Sequence, residues 1–282
     1  MPANPQKVAL YCQGTFDIAN PTQEQWTTME QAAADIAASG FGTVLLGQWH
    51  VHEDGTIYYN DAPIDGVLDT LQTIVPALKA QGNVQTVLIS FGPFWKDFDG
   101  IQNNLETFKA AMASAAATVG ADGFDWDLEE VYDPYGKLLV ELTQWANGLG
   151  LMVTAAPYQD SGFWQGVLQQ TNGGNAAGFA WWNLQLYGGA TYSDWPSVVQ
   201  GTVPNPQAFI VPGYKLDDTS PQDMQAQLAV TQTQFPQLEG AFIWRYEDIA
   251  RLGYTTAQCA QAIFTGLGGA RRGGAREIQV HV

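Results

Sequence analysis

Basic residues are scarce in this chain of 282 residues: 11 Lys and Arg stand against 28 Asp and Glu, a net charge of −17. So acidic a surface repels phosphate backbones and anionic headgroups. Nucleic acid and membrane are therefore set aside as partners, and a neutral or cationic partner is favoured. Long apolar runs are missing too: no stretch reaches the roughly 18 residues of a membrane span. Residues 1–7 (MPANPQK) lack the apolar core of a secretory signal. The sequence assigns no compartment, and action outside the cell is compatible with a leader removed earlier. Cysteine is limited to Cys12 and Cys259, too few for a disulfide framework. Two buried thiols are expected unless the first strand and the last helix are neighbours. Histidine occurs three times, at His50, His52 and His281. His50-Val-His52 can turn two imidazoles to one face, but no third ligand follows nearby, so a solvated loop is expected and a metal centre is not. No G-x-G-x-x-G and no phosphate-loop lysine follows the first apolar run, where Cys12-Gln-Gly-Thr-Phe-Asp17 stands instead. No cofactor is expected, and there is no repeat at solenoid spacing.

What is present is a sequence that is 46% hydrophobic, ample for a large core. Short apolar runs fall at residues 8–11, 43–47, 86–90, 123–127, 151–155, 179–186, 209–212 and 241–244. Helical patterns follow at 23–39, 64–81, 105–118, 136–149, 163–171, 195–200, 221–235 and 256–264. Gly40, Gly82, Gly120 and Gly150 sit where helices should stop. A strand–helix alternation repeated this often predicts a single (β/α)8 barrel over residues 1–266, with a doubly wound sheet as the alternative that lacks its phosphate loop. Residues 267–282, rich in Gly and Arg, read as a flexible tail. A monomer is expected.

Residues Asp122-Gly-Phe-Asp-Trp-Asp-Leu-Glu129 put three acids, Asp125, Asp127 and Glu129, at alternate positions. On a strand these share one face, with neighbours about 6–7 Å apart. Buried carboxylates at that spacing must lose water, take up a proton or find a partner. Such crowding raises pKa values and keeps one acid protonated near neutral pH, which is what acid–base catalysis needs. Asp122 is out of phase with the three, and either caps the strand or joins the site. In a barrel the acids climb the fourth strand toward the catalytic rim. Trp49, Phe94, Trp95, Tyr158, Trp164, Tyr187, Trp195, Tyr214, Trp244 and Tyr246 fall near strand ends, where aromatic rings could stack on the apolar faces of sugars.

The octad resembles the D-G-x-D-x-D-x-E signature of glycoside hydrolase family 18, the chitinases and endo-β-N-acetylglucosaminidases. Leu88-Ile-Ser90-Phe-Gly92-Pro93 is similar to the family's S-x-G-G strand, with Pro93 in place of the last glycine. Val153-Thr154-Ala-Ala-Pro157 and Gln185-Leu-Tyr187 resemble elements of the plant class III, hevamine-like branch, with Gly188 standing where Asn or Asp is usual. Gly240-Ala-Phe-Ile-Trp244 looks like the family's last strand. The likeness spans about residues 7–265.

The resemblance implies a retaining hydrolase acting on chitin or another N-acetylglucosamine-containing oligosaccharide, in which the substrate's own N-acetyl group is the nucleophile. It implies Glu129 as acid and then base, and Asp127 as the residue holding the acetamido N–H. Asp125 would share a proton with Asp127, helped by Ser90, and Tyr187 would bind the acetamido oxygen. Trp244, Gln185, Tyr11, Ser90, Trp49 and Tyr158 are the expected substrate-binding residues. The stretch from Tyr187 to Trp244 leaves no room for the insertion domain that walls a deep cleft, so an open, endo-acting groove is expected. The alternatives are an endo-β-N-acetylglucosaminidase on N-glycan cores and a chitin-binding, lectin-like barrel with little or no catalysis.

Overall fold

The runs of β-branched and aliphatic residues form strands β1 (Val8–Cys12), β2 (Thr43–Val51), β3 (Thr86–Phe91), β4 (Gly123–Trp126), β5 (Met152–Ala155), β6 (Trp181–Gln185), β7 (Ile210–Lys215) and β8 (Ala241–Trp244). These are parallel and pair in sequence order, and β1 pairs with both β2 and β8, so the sheet closes on itself. The computed structural model describes residues 3–17, 28–131, 133–173 and 177–269. Within them the chain is a (β/α)8 barrel. The tail expected over 267–282 lies, from residue 270 on, outside the described residues.

Helices α1 (Met29–Ser39), α2 (Ile64–Lys79), α3 (Leu105–Val119), α4 (Asp133–Gly148), α5 (Ser161–Asn172), α6 (Trp195–Val199), α7 (Pro221–Gln234) and α8 (Thr256–Gly266) alternate with the strands. Thr28 with Gln31 and Thr255 with Gln258 form capping boxes that start α1 and α8. The pattern read over 23–39 therefore begins as helix at Met29, and its residues 23–27 lie outside the described set. Besides the short helices Pro206–Phe209 and Tyr246–Arg251, two features carried no periodic signal long enough to be read. One is an antiparallel ribbon, Ile57–Tyr59 with Ala62–Pro63, that extends from β2. The other is a helix at Trp95–Asn103. Cys12 and Cys259 are separate, buried thiols.

Burial divides along the alternation of each strand. One side joins a large cluster packed beneath the helices, and the other forms a small inner cluster of Ala9, Tyr11, Leu45, Leu88, Trp181, Val211 and Phe242. The inner set fills the barrel from below, as layered side chains do in this fold. Strand β2 breaks the alternation. Its pairing with β3 shifts between Leu46 and Trp49, and residues beyond the shift exchange faces.

The glycine of the acidic octad answers a packing demand. A Cβ on Gly123 would lie 1.9 Å from the carbonyl oxygen of Met152 on the neighbouring strand, closer than any atoms pack. Gly123→Ala should therefore destabilise the fold by about 3 kcal/mol through overpacking. Gly166→Ala in α5, where a Cβ meets nothing within 4 Å, should stabilise it by about 0.5–1 kcal/mol. Urea unfolding of the two variants beside the parent checks both signs.

Candidate active site

Strand β4 is held at its foot by Asp122. Its Oδ2 accepts the backbone N–H of Val87 at 2.7 Å and pairs with Lys79 Nζ at 2.7 Å. Asp122 is thus a structural clamp between β3 and β4, which settles its place outside the site. Above it the three acids rise along one face through a gradient of burial. Asp125 is 0% exposed, Asp127 is 3% exposed, and Glu129 is partly open to solvent at the mouth.

Asp125 is saturated with donors. Its Oδ2 accepts from Tyr11 Oη at 3.0 Å and Ser90 Oγ at 2.8 Å, and its Oδ1 accepts from Thr154 Oγ1 at 2.6 Å and Asn183 Nδ2 at 3.3 Å. Trp181 Nε1 in turn donates to Asn183 Oδ1 at 2.9 Å and fixes that amide. Burial raises the Asp125 pKa, and these four bonds work against the rise by favouring its charge. Two donors on each oxygen leave little room for a proton shared with Asp127. Ser90 bonds Asp125 as the resemblance implies, and Tyr11, expected to bind substrate, is a buried donor to the same carboxylate.

Asp127 continues the line from just beyond β4. Its N–H donates to Phe91 O at 2.8 Å. Gly92 makes this approach possible: it has φ +131°, and a Cβ there would sit 1.9 Å from Asp127 O. Gln185 Nε2 donates to Asp127 Oδ1 at 2.9 Å and to Ala156 O at 2.8 Å. Burial, then the charges of Glu129 and Asp125, push the Asp127 carboxyl well above the ordinary range, against hydrogen bonds from Gln48 and Gln185. Glu129 is seated by its backbone. Its N–H reaches Pro93 O at 3.4 Å, and its carbonyl accepts from Gln159 Nε2 at 2.9 Å. Partial burial raises its pKa, a hydrogen bond from Gln185 opposes this, and the neighbouring charge of Glu130 adds to the rise.

Aromatic rings gather around the acids. Trp244 lies 5.3 Å from the Tyr11 ring at 58°. Tyr187, in the turn after β6, meets Phe242 edge-on at 6.2 Å. Burial and then the charges of Asp127, Glu129 and Asp125 push its phenol well above the usual value. The Tyr158 phenol is raised by burial and by Glu129. Its ring lies against Gly188, where a Cβ would come within 3.0 Å of it. A groove of about 800 Å³ is lined by His50, Phe94, Trp95 and Asp97 among others, and none of the three acids lines it. Phe94 is 59% exposed and stacks on His50, whose Nδ1 lies 3.1 Å from Asp97.

Other expected rim residues are elsewhere. Trp49 is fully buried in the outer cluster, packed on Tyr59 and Phe91, because the shift in β2 turns it out of the barrel. Gln48, which sequence reasoning missed, takes the inward place. Trp164 and Trp195 pack edge-on against Trp182 beneath the helices, and Tyr214 and Tyr246 are buried in the same outer cluster. Thr154 and Asn183 were also missed as donors to Asp125. Each is an inward position of its strand, and the pairing of Asp125 with Thr154 across β4 and β5 is the signal that finds the first.

No family model matches the chain, and no curated protein matches it in sequence. Solved structures do match in fold. The chitinase ChiC of Aspergillus fumigatus is 23% identical, with 85% of this chain and 91% of that one covered and a TM-score of 0.64. The Group IV chitinase of Ostrinia furnacalis, solved with allosamidin, is 13% identical over 95% and 99% of the two chains, with a TM-score of 0.64. The catalytic domain of a family GH18 chitinase from the fern Peteris ryukyuensis is 15% identical over 90% and 97%, with a TM-score of 0.61. At these identities the likeness is one of fold.

The electrostatics of the mouth are open to direct measurement. Removing the charge of exposed Glu130 relieves the ionised form of Glu129, so Glu130→Gln should move the Glu129 midpoint to lower pH. Carboxyl carbon NMR titration of parent and variant reads that shift, and an unmoved midpoint would remove Glu130 from the account.

Proposed function

We propose that this protein is a retaining, endo-acting glycoside hydrolase that cleaves β-1,4 bonds between N-acetylglucosamine units of chitin. The observation that carries the reading is the line of three acids from a donor-filled cage to an open mouth, with the outermost carboxyl raised toward protonation. A raised acid at the mouth above a carboxylate held by four donors suits a reaction needing a proton donor above and a charge-stabilising group below. The barrel shared with several chitinases supports the same substrate class.

In this mechanism Glu129 protonates the departing glycosidic oxygen. The substrate's acetamido oxygen attacks the anomeric carbon as the bond breaks, giving an oxazolinium ion. Glu129, now ionised, takes a proton from water as that water opens the ring, and the anomeric configuration is retained. Asp127 orients the acetamido group by accepting its N–H on a carboxyl oxygen. Asp125, held by its four donors, carries the negative charge that offsets the oxazolinium from behind Asp127. Tyr187 donates to the acetamido oxygen, and Trp244, packed on the buried Tyr11, forms the floor beneath the sugar. Gln185 braces Asp127, and Tyr158 borders the mouth near Glu129. An intramolecular nucleophile held in place supplies about 7–11 kcal/mol of the barrier reduction. The five residues between β7 and α7 build no wall. An open groove with the exposed Phe94 along it suits binding in the middle of a polymer.

Hydrolysis of a chitin hexamer by the parent should give internal cleavage and β-anomeric products. Glu129→Gln should lower the rate by about 100- to 10,000-fold. Products resolved by mass and anomer decide the matter. Binding without cleavage in the parent would favour the lectin-like alternative, and cleavage of a high-mannose glycopeptide instead would favour the N-glycan enzyme. Because the acid must be protonated to act and its pKa is raised, the alkaline limb of activity should lie above the ordinary glutamate range. A pH–rate profile on the same hexamer reads it.

A further inference from the structure

Gln48 has no part in the mechanism above, yet it is 2% exposed and reaches the centre of the site. Its backbone is pinned on both sides by the ribbon: Gln48 N–H donates to Asn60 Oδ1 at 3.1 Å, and Asn60 N–H donates to Gln48 O at 2.8 Å. Its side chain bonds Asp127. That uses the amide N–H, and the other end of the amide, Oε1, is buried with no hydrogen-bond partner among the described residues. A buried acceptor left unpaired is costly, and folded proteins keep few of them outside places where something else binds. The backbone is held by Asn60 and the amide by Asp127, so the acceptor stands beside that carboxyl without a donor.

The identity of that donor follows from the chemistry of an amino sugar, and rests on the function proposed above. If Asp127 holds the acetamido N–H, carbon 2 of the sugar lies beside it. The neighbours of carbon 2 are carbon 1, where the bond breaks, and carbon 3, which bears a hydroxyl. Gln48 bonds the same carboxylate as the acetamido N–H. We propose that Gln48 is a specificity-determining contact whose Oε1 accepts a hydrogen bond from the 3-hydroxyl of the N-acetylhexosamine at the scissile bond. The protein then accepts amino sugars with a free 3-hydroxyl, as in chitin, and rejects those whose oxygen 3 carries an ether, as in muramic-type sugars. An ether oxygen has no proton to give, sets two acceptors face to face, and brings its substituent into a buried space. Sites that pair with a substrate hydroxyl discriminate strongly against analogues lacking it, because their own buried group is then left unpaired.

The test compares 4-methylumbelliferyl di-N-acetylchitobioside with its analogue lacking the 3-hydroxyl on the sugar that bears the fluorophore. The parent should lose about 10- to 100-fold in kcat/KM on the 3-deoxy compound. Gln48→Met, similar in volume and without the carbonyl, should turn over both at similar kcat/KM. A residue acting only through Asp127 would change both substrates equally and leave the ratio at the parent's value; that result would overturn the proposal. So would a parent that cleaves the two equally well, a measurement that needs no variant to fold. A parent that cleaves neither compound would instead bring down the proposed function, and the assignment of Gln48 with it.

Discussion

The constraint on which the rest of this molecule depends is the burial of Asp125. A carboxylate with no solvent exposure survives as a charge only if donors replace its water. Here the replacement is complete: β1, β3, β5 and β6 each send one donor inward, at one level of the barrel. The barrel's register is what brings four separate strands to that level, so closure of the sheet and solvation of the charge are one problem. Asp127 takes part of its raised pKa from this anchor. Asp127 and Glu129 are each raised by their own burial, and Asp127 further by the charges of Glu129 below the mouth and of Asp125 on the floor.

The barrel was legible because its signal repeats. Each strand is a short apolar run closed by a polar or aromatic residue, and each helix is announced by caps such as Thr255 with Gln258. The acidic line was legible because alternation along a strand is a matter of counting. Counting failed where the strand was irregular. In β2 the alternation from Leu45 would turn Trp49 inward, and the shift beyond Leu46 turns Gln48 in its place. No local residue pattern announces that shift. Trp164, Trp195, Tyr214 and Tyr246 were misplaced for another reason: sequence locates them near strand ends but does not say which side they face. Thr154 and Asn183 needed strand pairing rather than strand prediction, since their role exists only at the level of Asp125.

Charge and chemistry are separated in space. Lys79 pairs with Asp122 at the foot of β4, on the far side of the barrel from the mouth, and Lys109 bridges Glu106 and Glu141 on the outer helices. Arg245 stands next to Trp244, but its guanidinium engages Asp248 and Gln13 at the rim. Among the described residues the donors to Asp125 and Asp127 are hydroxyls and amides rather than cations. Neutral donors stabilise a carboxylate without cancelling its charge, and so leave it free to act on an arriving positive centre.

The packing of Tyr158 against Gly188 bears on how this site could change over time. A Cβ at 188 would stand 3.0–3.2 Å from Tyr158, so any side chain there presses on it. A larger residue at 188 is therefore accessible only after Tyr158 has become smaller, and a smaller residue at 158 leaves a hole until 188 has grown. The two positions form a gated pair, in which one order of substitution passes through a clash and the other through a cavity. The route open to the lineage runs through the cavity, and the interval spent there is when the mouth beside Glu129 stands at its widest.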